Sequence, residues 1–148
     1  MHQPALAPAL SENTLIRRLA MLVTELDLDL RDFVIFGSGP LLAHGVRHGI
    51  RDLDIVARGS VWQRVRLYGC PDTGSISGAP LALFWNGLIQ FSQVWISDDW
   101  DADDLISQAE NIQGWPFARL TDVLAYKQRL LRPKDQLDIA ALHRAVTR

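Results

Sequence analysis

The chain has a single cysteine, Cys70, in 148 residues. It cannot form an internal disulfide, and with no second cysteine and no CxxC spacing nothing indicates a thiolate zinc site or thioredoxin-like chemistry. That usage suits a reducing compartment, and a cytoplasmic location is expected. A charge excess is also missing: 15 Lys and Arg stand against 17 Asp and Glu, for a net charge of -2. The balance offers no global attraction to phosphate backbones, so strong nucleic-acid binding is not expected. No apolar run approaches the roughly 20 residues that span a bilayer, which excludes a membrane helix. The first ten residues, MHQPALAPAL, hold no Lys or Arg and two prolines, so residues 1–10 read as a short disordered arm rather than a secretory signal. Repeats and low-complexity linkers are absent as well, and one domain over residues 1–148 is expected.

What is present suffices for a core. Hydrophobic residues make up 48% of the chain, and a chain of this length buries roughly 70% of its unfolded surface without needing metal or disulfide staples. Ser11 is placed to cap a helix in which Leu15, Leu19, Leu22, Val23 and Leu26 recur at helical spacing. Phe33 to Phe36 is a continuous β-prone run that stops at Gly37-Ser38-Gly39-Pro40, the pattern of a buried strand feeding a tight turn. A helix capped by Ser38 is expected from there to Gly49.

Further strands are expected over Leu53–Ala57, Leu81–Trp85 and Leu88–Ile96, the last two as a hairpin around Asn86-Gly87. Helices are expected over Ser60–Tyr68, Asp101–Glu110, Thr121–Leu131 with Thr121 as cap, and about Lys134–Val146, while residues 69–80 read as a loop. This order argues for a small α/β or α+β sheet covered by helices.

The chemistry concentrates in two places. Asp52 and Asp54 flank Leu53, and in a strand residues i and i+2 point to one face, so both carboxylates share a side. Like charges held so close repel unless a cation neutralises them or one carboxylate takes a proton. Mg²⁺ is the natural cation, since it prefers hard oxygen ligands from one or two carboxylates plus substrate phosphates. Nearby, Gly37 lets a phosphate approach the backbone, and Ser38 opens a helix whose N-H groups suit phosphate oxygens.

Phe36-Gly37-Ser38, thirteen intervening residues, then Asp52-Leu53-Asp54-Ile55 resembles the signature of the nucleotidyltransferase superfamily, the DNA polymerase β-like fold. Leu120 to Lys127, with Arg132-Pro133-Lys134-Asp135 and Asp138-Ile139, looks like the C-terminal helices of small nucleotidyltransferase-like proteins related to the AbiEii toxins. The resemblance implies a small mixed sheet flanked by helices, with helices at the C-terminal end. It also implies transfer of a nucleoside monophosphate from a nucleoside triphosphate, ATP being the expected one, to a hydroxyl of an unidentified acceptor, protein or small molecule. In that scheme Asp52 and Asp54 are catalytic and hold two Mg²⁺ ions with the nucleotide bound. Gly37 and Ser38 bind phosphates, and Lys127, Arg132 and Lys134 add positive charge beside the leaving pyrophosphate. Lys134 and Asp138 also have the spacing of a plain i, i+4 helix pair.

The family's third carboxylate belongs on the strand expected at 88–96, where Gln90 and Ser92 occupy the polar positions and neither is a base. Asp98 or Asp99, in a stretch with five Asp among residues 97–104, would substitute if that strand ran further. Without the acid, the alternative is a catalytically silent module of the same fold that holds a nucleotide or a protein partner such as an antitoxin or regulator. Two other readings are weaker. A dinucleotide-binding GxGxxG fails because Leu42 stands at the third glycine, and His44 with His48 lacks the acid of an HExxH zinc helix; His48 and Arg51, immediately before the acidic pair, are instead candidates to line the nucleotide site. Charge is also segregated: residues 97–110 carry six acids and no base, while 119–148 carry seven Lys or Arg against three acids.

Overall fold

The computed structural model describes residues 9–75, 78–95 and 97–147, with the side chains of 95 and 97–101 left out of the account. Helix α1 spans Thr14–Leu26 and starts later than expected, because Asn13 rather than Ser11 caps it, accepting from the N-H groups of Leu15 and Ile16 at 2.9 and 3.1 Å. Ser11 lies in a 3-10 turn, Leu10–Glu12. The expected arm also ends early: Leu10 is buried, and its N-H donates to Gln113 Oε1 at 2.8 Å. Residues 1–8 lie outside the described residues.

Strand β1, Phe33–Phe36, is buried throughout, as its unbroken apolar run requires. Helix α2 is only Gly39–Ala43 and not the longer helix expected to Gly49. Gly45, at φ +72, ends it. The N-H of Val46 returns to the Leu41 carbonyl at 2.8 Å and that of Gly45 to Leu42 at 3.1 Å, the paired bonds of a Schellman cap. Strand β2, Leu53–Ala57, and helix α3, Gly59–Tyr68, match expectation to within a residue.

The segment expected as a loop contains strand β3, Cys70–Thr73, and the first residue of β4, Pro80–Phe84. Every residue of β3 is exposed, so no alternation marks it, and Pro71 is tolerated because the strand lies at the sheet edge. The β4–β5 hairpin turns at Trp85, Asn86 and Gly87, at φ +51, +56 and +86. Strand β5 is Ile89–Ser92, and the chain then leaves the sheet: β6, Val94–Trp95, pairs instead with β7, Ser97–Asp101. Ile96, in the expected strand, lies outside the described residues.

Helix α4 covers Ala102–Ser107 and stops short of Glu110, which opens β8, Glu110–Ile112, in a hairpin with β9, Trp115–Phe117. Helix α5, Leu120–Leu130, places Thr121 inside its first turn, with no side-chain cap at Arg119. After a 3-10 turn at Pro133–Asp135, α6 runs over Gln136–Val146, two residues later than Lys134.

Among the described residues the architecture is mixed α+β, with six α-helices and a seven-stranded open mixed sheet in the order β3-β4-β5-β2-β1-β9-β8. β1 runs parallel to β9 and β2 parallel to β5, while the other neighbours are antiparallel. Alternation along β1 and β2 feeds two cores. Phe33, Ile35, Leu53 and Ile55 pack with α1 and α3 on one face, and Val34, Phe36 and Val56 pack with α4, α5 and α6 on the other. Asp54 shares the second face by strand periodicity and interrupts its apolar row. No helix among the described residues is long and apolar enough to cross a membrane.

Candidate functional site

The interruption opens a cleft of about 610 Å³, lined among others by Ser38, Asp52, Asp54, Lys127, Arg132 and Lys134. Pairing sets its floor: Phe36, the last residue of β1, is the partner of Asp54 on β2, and Asp54 in turn is the partner of Gln90 on β5. The turn after β1 therefore starts directly beside the Asp54 carboxylate. Gly37 takes φ +64 there, and a Cβ at this position would stand 2.6 Å from Asp54 Oδ2. Glycine is thus required both by backbone conformation and by the carboxylate that presses against it. Gly37→Ala is expected to cost on the order of 1–3 kcal/mol from the left-handed backbone alone, read as a fall of several degrees in melting temperature, and to displace Asp54. A variant that melts with the wild type would refute this packing.

Asp52 and Asp54 are both half-buried and both line the cleft. Burial, and then the neighbouring charge of Asp52, push the Asp54 carboxyl up to about 7, against the pull of Lys127, Arg132 and Lys134. No ion pair is recorded for either aspartate among the described residues. The pair is a set of two hard oxygen donors short of positive charge, a donor set that fits Mg²⁺. No group of three His, Cys, Asp or Glu side chains converges on a metal-sized site among the described residues.

A third carboxylate is missing from β5. Gln90, opposite Asp54, donates through Nε2 to the Gly87 carbonyl at 3.2 Å, and Ser92 donates to the Val94 carbonyl at 2.6 Å. Asp98 and Asp99 lie on β7, outside the seven-stranded sheet, and their side chains are outside those described.

The C-terminal helices bring cations to the cleft, and acids accompany them. Lys127, whose side chain is 3% exposed, lies 3.2 Å from Asp135 Oδ1 and 3.4 Å from Asp138 Oδ2. Arg132 grips Asp135 with two bonds of 2.6 and 3.3 Å. Burial alone would raise the Asp135 carboxyl, but the Arg132 hydrogen bonds and the Lys127 charge outweigh it and hold the group below the usual carboxylate range. Asp138 pairs with Lys127 and Arg47 rather than with Lys134, so the i, i+4 pair is not formed. Lys134 makes no ion pair among the described residues. Tyr126 backs the site, its ring 5.1 Å from that of Phe36, with Lys127 Nζ 5.4 Å from the Tyr126 ring. Burial, with Asp54 second, pushes its phenol well up.

The structure brings together Gly37, Ser38, Asp52, Asp54, Lys127, Arg132 and Lys134, and adds residues that the sequence reading did not assign. These are Arg47, beside the turn, and Asp72 and Thr73, from β3, whereas Arg51, singled out by its place just before the acidic pair, does line this cleft. Arg47 carried a signal, since Gly45 two residues earlier marks a helix end that turns the chain back. His44 and His48 do not form a helical pair, because α2 ends at Ala43; His44 meets Glu110 at 3.6 Å, and His48 lines a separate hollow of about 200 Å³. Of the tryptophans, Trp85 lies under the Arg18 guanidinium at 5.4 Å and Trp115 packs on the first core, while the Trp95 side chain is outside those described. Comparison with known protein families, with curated proteins and with solved structures finds no match to this chain.

Proposed function

We propose that the cleft binds a nucleoside triphosphate, ATP first among them, together with Mg²⁺, and transfers its nucleoside monophosphate to a hydroxyl of an acceptor, protein or small molecule, in the manner of the nucleotidyltransferase fold. The observation that carries this reading is the close packing of the Gly37 turn on the Asp54 carboxylate, which sets the turn and Ser38 beside a pair of acids on one cleft. The parallel pairing of β2 with β5, directly beside antiparallel β1, supports the fold assignment.

Asp52 and Asp54 would hold the metal, two ions when nucleotide is present; bound there, Mg²⁺ neutralises phosphate charge and makes the acceptor hydroxyl a better nucleophile. The backbone at Gly37 and the Ser38 hydroxyl bind phosphate oxygens. Lys134, which makes no ion pair among the described residues, meets the leaving pyrophosphate, while Lys127 and Arg132 supply positive field from within their ion pairs. The acceptor oxygen attacks the α-phosphorus, the bond to the β-phosphate breaks, pyrophosphate leaves, and the acceptor proton must go to a base. Gln90 cannot take it, because an amide is not basic.

That position favours a second reading: a module that holds nucleotide without turnover and presents it to a protein partner. Calorimetry with ATP and Mg²⁺, paired with an assay of AMP transfer or ATP cleavage to AMP and pyrophosphate, separates the two. Metal-dependent binding that Asp52→Ala removes is expected, with slow or no turnover. Gln90→Glu places a carboxylate opposite Asp54 and is expected to raise cleavage by about 10²-fold, the lower end of general-base contributions. Binding with no gain in Gln90→Glu favours the silent module, and no binding refutes both readings.

A further inference from the structure

Ser38 stands at the N-cap position of α2, yet its hydroxyl makes no capping bond. The oxygen accepts instead from Arg47 Nη1 at 3.3 Å, and that same nitrogen donates to Asp138 Oδ2 at 3.2 Å. One guanidinium nitrogen therefore ties the turn after β1 to the last helix of the chain. The backbone is built for this: the Schellman cap at Gly45 reverses the chain, and the Arg47 N-H closes onto the Leu41 carbonyl at 3.2 Å. Asp138 also pairs with buried Lys127, which fixes the far end of the clasp.

The chemistry of a hydroxyl decides what the clasp is for. A serine that accepts from a guanidinium keeps one hydrogen to donate, and among the described residues no protein acceptor takes it. Ser38 lines the cleft with Asp52 and Asp54. A donor held by a cation and opening on a metal-suited pair of carboxylates calls for an acceptor oxygen from a ligand, and phosphate oxygens are that chemistry. We infer that Arg47, itself held by Asp138, is a positioning residue that fixes the Ser38 hydroxyl as a donor to a phosphate oxygen, so that α6 takes part in ligand recognition without touching the ligand. This rests on the triphosphate reading of the cleft.

The test is a double-mutant cycle on the full chain, read as calorimetric affinity for ATP and for inorganic tripolyphosphate, each with Mg²⁺. Ser38→Ala and Arg47→Met are each expected to weaken both probes about tenfold, the loss of one charge-assisted hydrogen bond. The Arg47 side chain is 37% exposed and Met keeps its aliphatic stem, so the fold persists. If Arg47 acts through Ser38, the double variant is no weaker than either single one, an outcome that a general structural role would not produce. Losses that multiply to about a hundredfold would show Arg47 touching the ligand itself and overturn the inference, as would an Arg47→Met variant that binds like the wild type. Wild-type protein that binds tripolyphosphate but not ATP ends the nucleotide reading and leaves this inference standing; binding of neither ends both.

Discussion

Replacing Asp54 with Asn is expected to raise the melting temperature of the metal-free protein at pH 8, to raise it by less than half as much at pH 5, and to remove the Mg²⁺-dependent rise at both. The Asp54 carboxyl is pushed up to about 7 from an ordinary 3.8 by burial and by Asp52. The native state therefore holds a proton that the unfolded chain releases between about pH 4 and 7, and metal-free stability falls as pH rises through that window. The full shift corresponds to about 4 kcal/mol at 1.36 kcal/mol per pKa unit. Half-buried as it is, Asp54 is partly screened by water, and a gain on the order of 2 kcal/mol, about 5 °C for a chain of this size, is expected in the Asn variant at pH 8. At pH 5 the native Asp54 is protonated while the unfolded chain has already released that proton, so roughly a third of the gain remains, and it vanishes only below about pH 4. In the wild type, Mg²⁺ bound as proposed must displace the proton, so metal affinity is expected to rise with pH through the same window. Thermal melts at the two pH values, with and without Mg²⁺, decide the matter. An equal gain at both would assign the effect to packing, and a surviving Mg²⁺ response would refute the metal assignment.

The central part of the fold was legible because its signals are local. Phe33–Phe36 is an unbroken apolar run and Leu53–Ala57 one interrupted only by Asp54, Asn86-Gly87 marks its hairpin, and a sheet covered by helices follows from the order of the elements. What escaped has physical reasons. β3 is exposed along its whole length and carries no pattern of burial, and β8–β9 are three-residue strands turning on Gln113 and Gly114, too short for a period. The helix expected to reach Gly49 ignored Gly45, whose left-handed φ is a helix-end signal.

At the site, Gly37, Ser38, Asp52 and Asp54 lie within 18 chain positions of one another, so a strand-turn pattern readable from sequence puts them together, although Asp52 lies just before β2. Gly45 marks the reversal that brings Arg47 back, but the pairing of Arg47 could not be assigned from sequence, because its partner Asp138 lies 91 residues away. Nor could the state of Lys127: periodicity marks it as helical, and only the packing of α5 on α6 reveals that two carboxylates claim its charge.

Lys127→Met is for that reason expected to be the most destabilising single change among the cleft residues. Both Lys127 and Asp135 have side chains only 3% exposed, and removing one partner of a buried pair leaves the other uncompensated, a cost of about 3–5 kcal/mol. Arg132 still grips Asp135 and Arg47 still pairs with Asp138, which puts the loss at the lower end, about 3 kcal/mol or near 10 °C in melting temperature. Arg132→Met, whose side chain is 34% exposed, should cost less than half as much. The pH profile carries the same signature. Asp135 is held below its ordinary value by these cations, so its contribution is present above about pH 4 and is lost as pH falls through its folded-state value. In Lys127→Met that loss moves to higher pH, and Asp135→Asn added to it recovers part of the stability because no buried anion is then left unpaired. A Lys127→Met protein melting within 2 °C of the wild type would refute the buried triad. The consequence reaches the metal pair: Lys127 is the first of the cations that pull the Asp54 carboxyl down, so without it Asp54 keeps its proton to higher pH, and the midpoint of the Mg²⁺ response should shift upward in pH even where the variant is fully folded.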